Sequence, residues 1–156
     1  MPLFEVPELS YVATVSATLA APLDLGETPE GHRRVIPITG GTVSGPRLEA
    51  RIVPGGVDWQ RVLPDGTTLV EARYTLELAG SARLVSITST GVRTGPPELL
   101  AALARGEEVD QSRYYFRLSI RASTADEEHD WLNTSILVAT AERMPDGVQY
   151  DLYRLA

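Results

Sequence analysis

The residues best suited by type and context to do chemistry are Asp58 and its neighbour Trp59, which follow the corner Pro54-Gly55-Gly56. A carboxylate held at a barrel rim beside an aromatic wall loses hydration. Loss of hydration disfavours its charged form and raises its pKa toward that of a usable base. The plainer reading is an aspartate that caps its own turn next to a core tryptophan.

A second group is spread over three predicted strands: Arg73, Tyr115, Arg117 and Asn133. These residues lie on the more polar strand faces. Turned into a barrel, the two guanidinium groups suit a carboxylate or enolate. Tyr115 and Asn133 then become donors to a developing oxyanion. Turned outward, all four are solvated sheet residues, and period alone does not choose between the faces. Trp131 is a further substrate-binding candidate; its alternative, shared with Tyr153, is core packing.

Composition removes whole classes of chemistry. All 14 cations are arginine, because the chain contains no lysine, so Schiff-base catalysis and a P-loop lysine are excluded. The absence of cysteine excludes disulfides, thiol nucleophiles and thiolate metal sites. A net charge of −7 makes nucleic acid an unsuitable partner. The acidic run Glu127-Glu128-His129-Asp130 does not converge on a metal, since adjacent residues diverge on a strand or loop. No nucleotide-binding or hydrolase motif is present, which points to cofactor-free chemistry. No apolar run is long enough for a membrane span and the N-terminus does not read as a signal peptide, so a soluble cytoplasmic protein is expected.

The elements that must position these residues read as strands. Leu9–Leu19, Thr67–Leu78 and Tyr114–Ser123 alternate apolar and polar residues with period two. Between Ile38 and Gly66, glycine and proline corners recur at Gly40-Gly41, Gly45-Pro46, Pro54-Gly55-Gly56 and Pro64-Asp65-Gly66. Pro64-Asp65-Gly66 predicts a hairpin turn with Gly66 left-handed, and Pro145-Asp146-Gly147 repeats it. Pro22–Gly31 reads as a loop, Thr124–Asp130 as an acidic loop, and Trp131–Glu142 as a strand. Pro97–Arg105 is the one helix, with proline in its first turn and Gly106 beyond its end. The sum is one all-β domain over residues 1–156: an antiparallel barrel of about eight to ten strands with one short helix.

The motifs GHRRVIPITGGTVSGPRL, PGGVDWQ, EARYTL, YYFR and WLNTS, in this order over nearly the whole chain, resemble an uncharacterised bacterial family of unknown function. That family is similar to the barrels of the allene-oxide-cyclase and dirigent type. The resemblance implies a cavity open at one end, inward-facing polar residues and homo-oligomers. Relatives often carry an acidic turn where this chain has Ala79-Gly80-Ser81, a segment that reads here as a hairpin tip.

The expected function is that of a cofactor-free cyclase or isomerase. It would fold a small, largely apolar substrate bearing a carbonyl or acid group, with Asp58, Tyr115 and Asn133 catalytic and Trp59, Arg73, Arg117 and Trp131 binding. The alternative is a non-catalytic carrier or sensor for the same kind of molecule. A third reading is an oligomeric interaction module whose barrel is filled by side chains.

Overall fold

The computed structural model describes residues 1–156. Nine strands form one antiparallel sheet: β1 (Leu9–Leu19), β2 (Leu23–Thr28), β3 (Gly31–Ser44), β4 (Ala50–Val62), β5 (Thr68–Leu78), β6 (Leu84–Thr94), β7 (Tyr115–Thr124), β8 (Ile136–Met144) and β9 (Gly147–Leu155). The order is β1-β9-β8-β7-β6-β5-β4-β3-β2, and pairing of β1 with β3 closes eight of these strands into a barrel. The ninth, β2, was not visible as a strand: it is an edge strand along the first part of β3, where Leu23 faces Val35 and Thr28 faces Gly31. Its charged and glycine-bearing sequence hides it, since an edge strand needs only a backbone partner and no buried face.

Closure depends on close backbone approach at Gly41. A Cβ there would lie 2.1 Å from the Ser16 carbonyl oxygen of β1. The β3–β4 register slips between Ile38 and Gly41, so the glycine pair also bends β3 through the seam. The turn at Pro64-Asp65-Gly66 is as expected, with Leu63 and Thr67 hydrogen bonded across it and Gly66 at φ 88°. Its apparent twin is tighter: Met144 pairs directly with Gly147, leaving only Pro145 and Asp146 in the loop.

Helix α1 (Pro97–Ala104) links β6 to β7 and tucks Leu100 and Leu103 against one end of the barrel. The other end is covered by 3-10 turns spanning Glu127–Thr134, so Trp131 and Asn133 belong to a cap and the strand they were expected to start begins at Ile136. Buried residues from every barrel strand form one core cluster, which Leu103, Val109 and Leu132 join from the connecting segments. No helix is long and apolar enough to cross a membrane.

Candidate active site

Asp58 is brought inside by a bulge. Between Val53 and Val57 strand β4 carries Pro54-Gly55-Gly56 opposite a single residue of β5, Tyr74. The missing side chain of Gly56 makes this possible, because a Cβ there would sit 2.5 Å from that of Tyr74. The bulge preserves the inward parity that starts at Ile52 and delivers Asp58 to the lumen with 9% of its surface exposed. It therefore lies within the barrel and not at the rim. Trp59, next along the strand, points the other way and is 45% exposed, so it gives Asp58 no aromatic wall.

The wall comes from other strands. Asp58 lines a lumen cavity of about 50 Å³ with Val70, Ala72, Tyr74, Phe116, Tyr150 and Ser89 among its neighbours. Burial in these surroundings raises the Asp58 pKa above the ordinary aspartate value. Gln60 Nε2 donates to Asp58 Oδ2 at 2.8 Å and the Glu71 amide donates to Oδ1 at 3.3 Å, which with Arg93 and Arg34 oppose the rise. Across the lumen the hydroxyls of Tyr74 and Tyr150 are hydrogen bonded to each other. Burial pushes Tyr74 up to about 12 and Tyr150 well above the usual phenol value, so both remain neutral donors. One of their two protons is taken by the mutual bond, and the other is free for a ligand oxygen.

Above Asp58, toward α1, lies a layer of cations. Arg34 donates from Nη2 to Gln60 Oε1 at 2.6 Å, so Arg34, Gln60 and Asp58 form a relay. Arg93 is 6% exposed and its guanidinium lies 5.3 Å from the ring centre of Phe116. Arg143 donates from Nη1 to the carbonyls of Met144 and Gly147, at 2.6 and 2.8 Å, and its amide donates to the Tyr114 hydroxyl at 2.8 Å. Burial, and then the charges of Arg143 and Arg34, depress the Arg93 pKa to about 10, so it stays protonated at neutral pH. Two nitrogens of this layer, Arg34 Nε and Arg93 Nη1, are buried without any hydrogen-bond partner. Both residues line a second cavity, of about 310 Å³, walled by Val62, Pro64, Gly66, Pro97, Leu100 and Ala104.

The other expected site residues are not part of this arrangement. Arg73 is exposed on the outer face beside the β4 bulge. Tyr115, 52% exposed, and Arg117 are also outside, where the guanidinium stacks 5.1 Å from the Tyr115 ring. The physical reason is that β7 follows the ordinary rule: Phe116, Leu118 and Ile120 fill the lumen and their polar neighbours face solvent. Asn133 holds the far cap, accepting from the Thr124 amide at 2.8 Å and donating to its carbonyl at 3.0 Å. Trp131 is half-buried in that same cap, with the Arg47 guanidinium 4.0 Å from its ring centre. Of the expected set, only Asp58 faces the lumen.

Arg34, Gln60, Arg93, Tyr74 and Tyr150 were missed as site residues. The signal for Arg93 was available: Val85, Ile87, Ser89, Gly91 and Arg93 share one parity along β6, so an inward apolar run ends in a charge.

Comparison with known proteins bears on the whole domain. A family model described as a protein of unknown function (DUF3237) matches residues 7–155. A UPF0311 protein of Bradyrhizobium diazoefficiens is 39% identical over 148 residues, covering 95% of this chain and 96% of that one. The crystal structure of a conserved protein of unknown function from Rhodopseudomonas palustris superposes with a TM-score of 0.92 at 34% identity, covering 99% of this chain and 100% of that one. An enzyme from Penicillium herquei shares the fold at 14% identity, with a TM-score of 0.73 and full coverage of both chains.

Proposed function

The chain belongs to the DUF3237 family of proteins of unknown function, and within that barrel family we propose that it is a cofactor-free enzyme whose lumen aspartate moves a proton on a small carbonyl-bearing substrate. The observation that carries this reading is Asp58 itself, a carboxylate buried among apolar and aromatic side chains with its pKa raised by that burial. A stable core gains nothing from such a group, since desolvating a carboxylate is costly. A base gains reactivity from it. That a barrel of this fold in Penicillium herquei is an enzyme is compatible with the reading.

The chemistry follows from the atoms present. The Asp58 carboxylate takes a proton from a carbon next to the substrate carbonyl, and the electron pair moves onto the carbonyl oxygen. That oxygen accepts the free hydroxyl proton of the Tyr74–Tyr150 pair as a hydrogen bond, while the guanidinium layer stabilises the developing negative charge. Asp58 then returns the proton at another position, which is isomerisation, or the enolate closes on an electrophile within the same folded substrate, which is cyclisation. The lumen cavity of about 50 Å³ has room for the reacting head alone, which leaves the cavity beneath α1, with no lining residue in common, as the nearest space for the rest of the substrate.

A carrier would suit a lumen lined wholly by apolar groups with Asp58 exposed, and Asp58 is buried. A filled interaction module would leave no space, whereas about 50 Å³ lies beside Asp58 and about 310 Å³ beneath α1. The homo-oligomer implied by the family resemblance belongs to the same proposal, and light scattering of the purified chain tests it.

The test of the enzyme reading is exchange of carbon-bound hydrogen in D2O, followed by proton NMR. Phenylpyruvate and 1-phenyl-1,3-butanedione serve as probes. The wild-type protein accelerates exchange over buffer, and Asp58→Asn loses about a hundredfold or more of that acceleration. Equal rates for the two proteins would sink the assignment of Asp58 as base.

A further inference from the structure

The guanidinium layer holds more positive charge and more donor capacity than the protein uses. Three guanidiniums, those of Arg34, Arg93 and Arg143, share one buried carboxylate, Asp58, and only the exposed carboxylates of Asp24, near Arg34, and Asp146, near Arg143, add to it. Arg143 spends its Nη1 on two carbonyls of its own hairpin, and Arg34 spends one nitrogen on Gln60. What remains is Arg93 Nη1 and Arg34 Nε, each out of water and each without an acceptor. A buried donor left unpaired on a charged group is costly, and native proteins keep such groups where an ordered water, an ion or a ligand supplies the acceptor.

We infer that the cavity beneath α1 is a carboxylate-binding site, in which Arg93 and Arg34 grip the acid group of the substrate and the wall of Val62, Pro97, Leu100 and Ala104 receives its apolar body. This rests on the reading of this end of the barrel as a substrate site, and it narrows the substrate class to apolar monocarboxylates that also carry a carbonyl. The headgroup follows from the donors: Arg93 Nη1 carries two N–H groups and Arg34 Nε one, a set that suits the two oxygens of a carboxylate. A phosphate would need further donors. The nearby backbone does not provide one at Gly66, whose amide already donates to the Leu63 carbonyl at 2.9 Å. The body follows from the lining: besides Asp65, Gly66 and Thr68, the wall facing the arginines is aliphatic, and the cavity of about 310 Å³ is large enough for a ring or a short chain. Arginine holds such an acid at fixed orientation, which places the carbon skeleton relative to Asp58 through the rigid relay of Gln60.

Calorimetric titration of the full chain with 3-phenylpropanoate, 3-phenylpropanamide and phenylphosphonate tests this directly. The carboxylate binds about tenfold to a hundredfold more tightly than its neutral amide. Arg93→Met removes that preference without lowering Tm, because an unpaired buried charge gives way to an apolar chain of similar length. Arg93→Gln serves the same purpose if the methionine variant fails to fold, and Arg34→Met loses part of the preference. Arg73→Met, on the outer face, changes nothing. Equal binding of acid and amide, no binding of any probe at millimolar concentration, or a preference retained in both Arg93 variants would overturn the site; tighter binding of the phosphonate would overturn the headgroup. Asp58→Asn keeps the preference while losing hydrogen exchange. A wild-type protein that shows the preference but no exchange would therefore end the enzyme reading and leave the carboxylate site standing.

Discussion

At the end capped by the 3-10 turns, the barrel strands turn Val15, Val43, Ile52, Leu76, Val85, Ile120, Leu137 and Leu152 inward, and the lumen is packed solid. At the end under α1, seven of the same eight strands contribute Arg34, Asp58, Gln60, Thr68, Arg93, Phe116, Arg143, Tyr150 and the rim of Val148, with two cavities between them. The lesson is a division of labour along a single set of strands. The packed half supplies the apolar burial that holds the barrel closed. The open half carries a desolvated acid, partnerless donors and empty volume, each a stability cost that the packed half offsets.

The sharpest break of this comparison is a pair of truncations. Leu137→Ala in the packed half leaves a cavity among residues that cannot collapse and costs about 2–5 kcal/mol of unfolding free energy. Arg93→Met in the open half costs nothing or gains stability, as denaturant unfolding of both variants would show. A loss of similar size at both positions would mean that the two halves are packed alike.

The next effect concerns pH. The folded-state pKa of Asp58 is raised above its unfolded value of 3.8, so the folded protein holds this proton more tightly. The associated stability is present below 3.8 and is lost as pH rises through the raised value. Thermal unfolding of Asp58→Asn, followed across acid pH, lacks this decline and gives a Tm at neutral pH no lower than that of the wild type. A variant that melts well below the wild type at neutral pH would return Asp58 to the role of a structural cap.

On the outer surface the effects are small. Arg117→Leu and Arg73→Met change stability by about 0.5 kcal/mol or less and leave ligand binding intact. At the exposed β2–β3 hairpin, Glu27 and Asp24 bond His32 and raise its pKa above 6.5. The gain from this pairing is present below 6.5 and fades as pH rises through the raised value; an NMR titration of the imidazole reads the shift.

Much of this was legible in the residues. Alternation in Thr67–Leu78, the left-handed Gly66 and the proline-led helix each carry their own local cause and are found where their patterns put them; in Leu9–Leu19 the strand is there, but a bulge between Tyr11 and Ala13 leaves Leu9 and Tyr11 exposed and buries Val12. Asp58 was legible as a candidate because a carboxylate two residues after the Pro54-Gly55-Gly56 corner either caps its turn or is held for chemistry, and the β4 bulge takes it into the lumen. The rest of the site was not, for two reasons. Period two separates the faces of a strand without saying which is inside, so Tyr115 and Arg117 could be assigned either way until the barrel closed. The cation layer is a property of registers: Thr68 faces Arg93 across β5–β6, and Arg34 faces Gln60 across β3–β4. Those pairings join residues far apart in the chain, and no local signal announces them. The β2 edge and the Trp131 cap were hidden similarly, since one is defined by its partner strand and the other by the Asn133 bonds to Thr124.

The most direct measurement requires no knowledge of the substrate. Carbon-13 NMR of the carboxyl groups, titrated from acid to neutral pH with Asp58→Asn providing the assignment, gives the pKa of Asp58 in the folded protein. A midpoint clearly above 3.8 is predicted, as a base held ready in a dehydrated lumen requires. A midpoint at or below 3.8 would show a fully solvated or ion-paired carboxylate and would contradict the account of the open end as a reactive site.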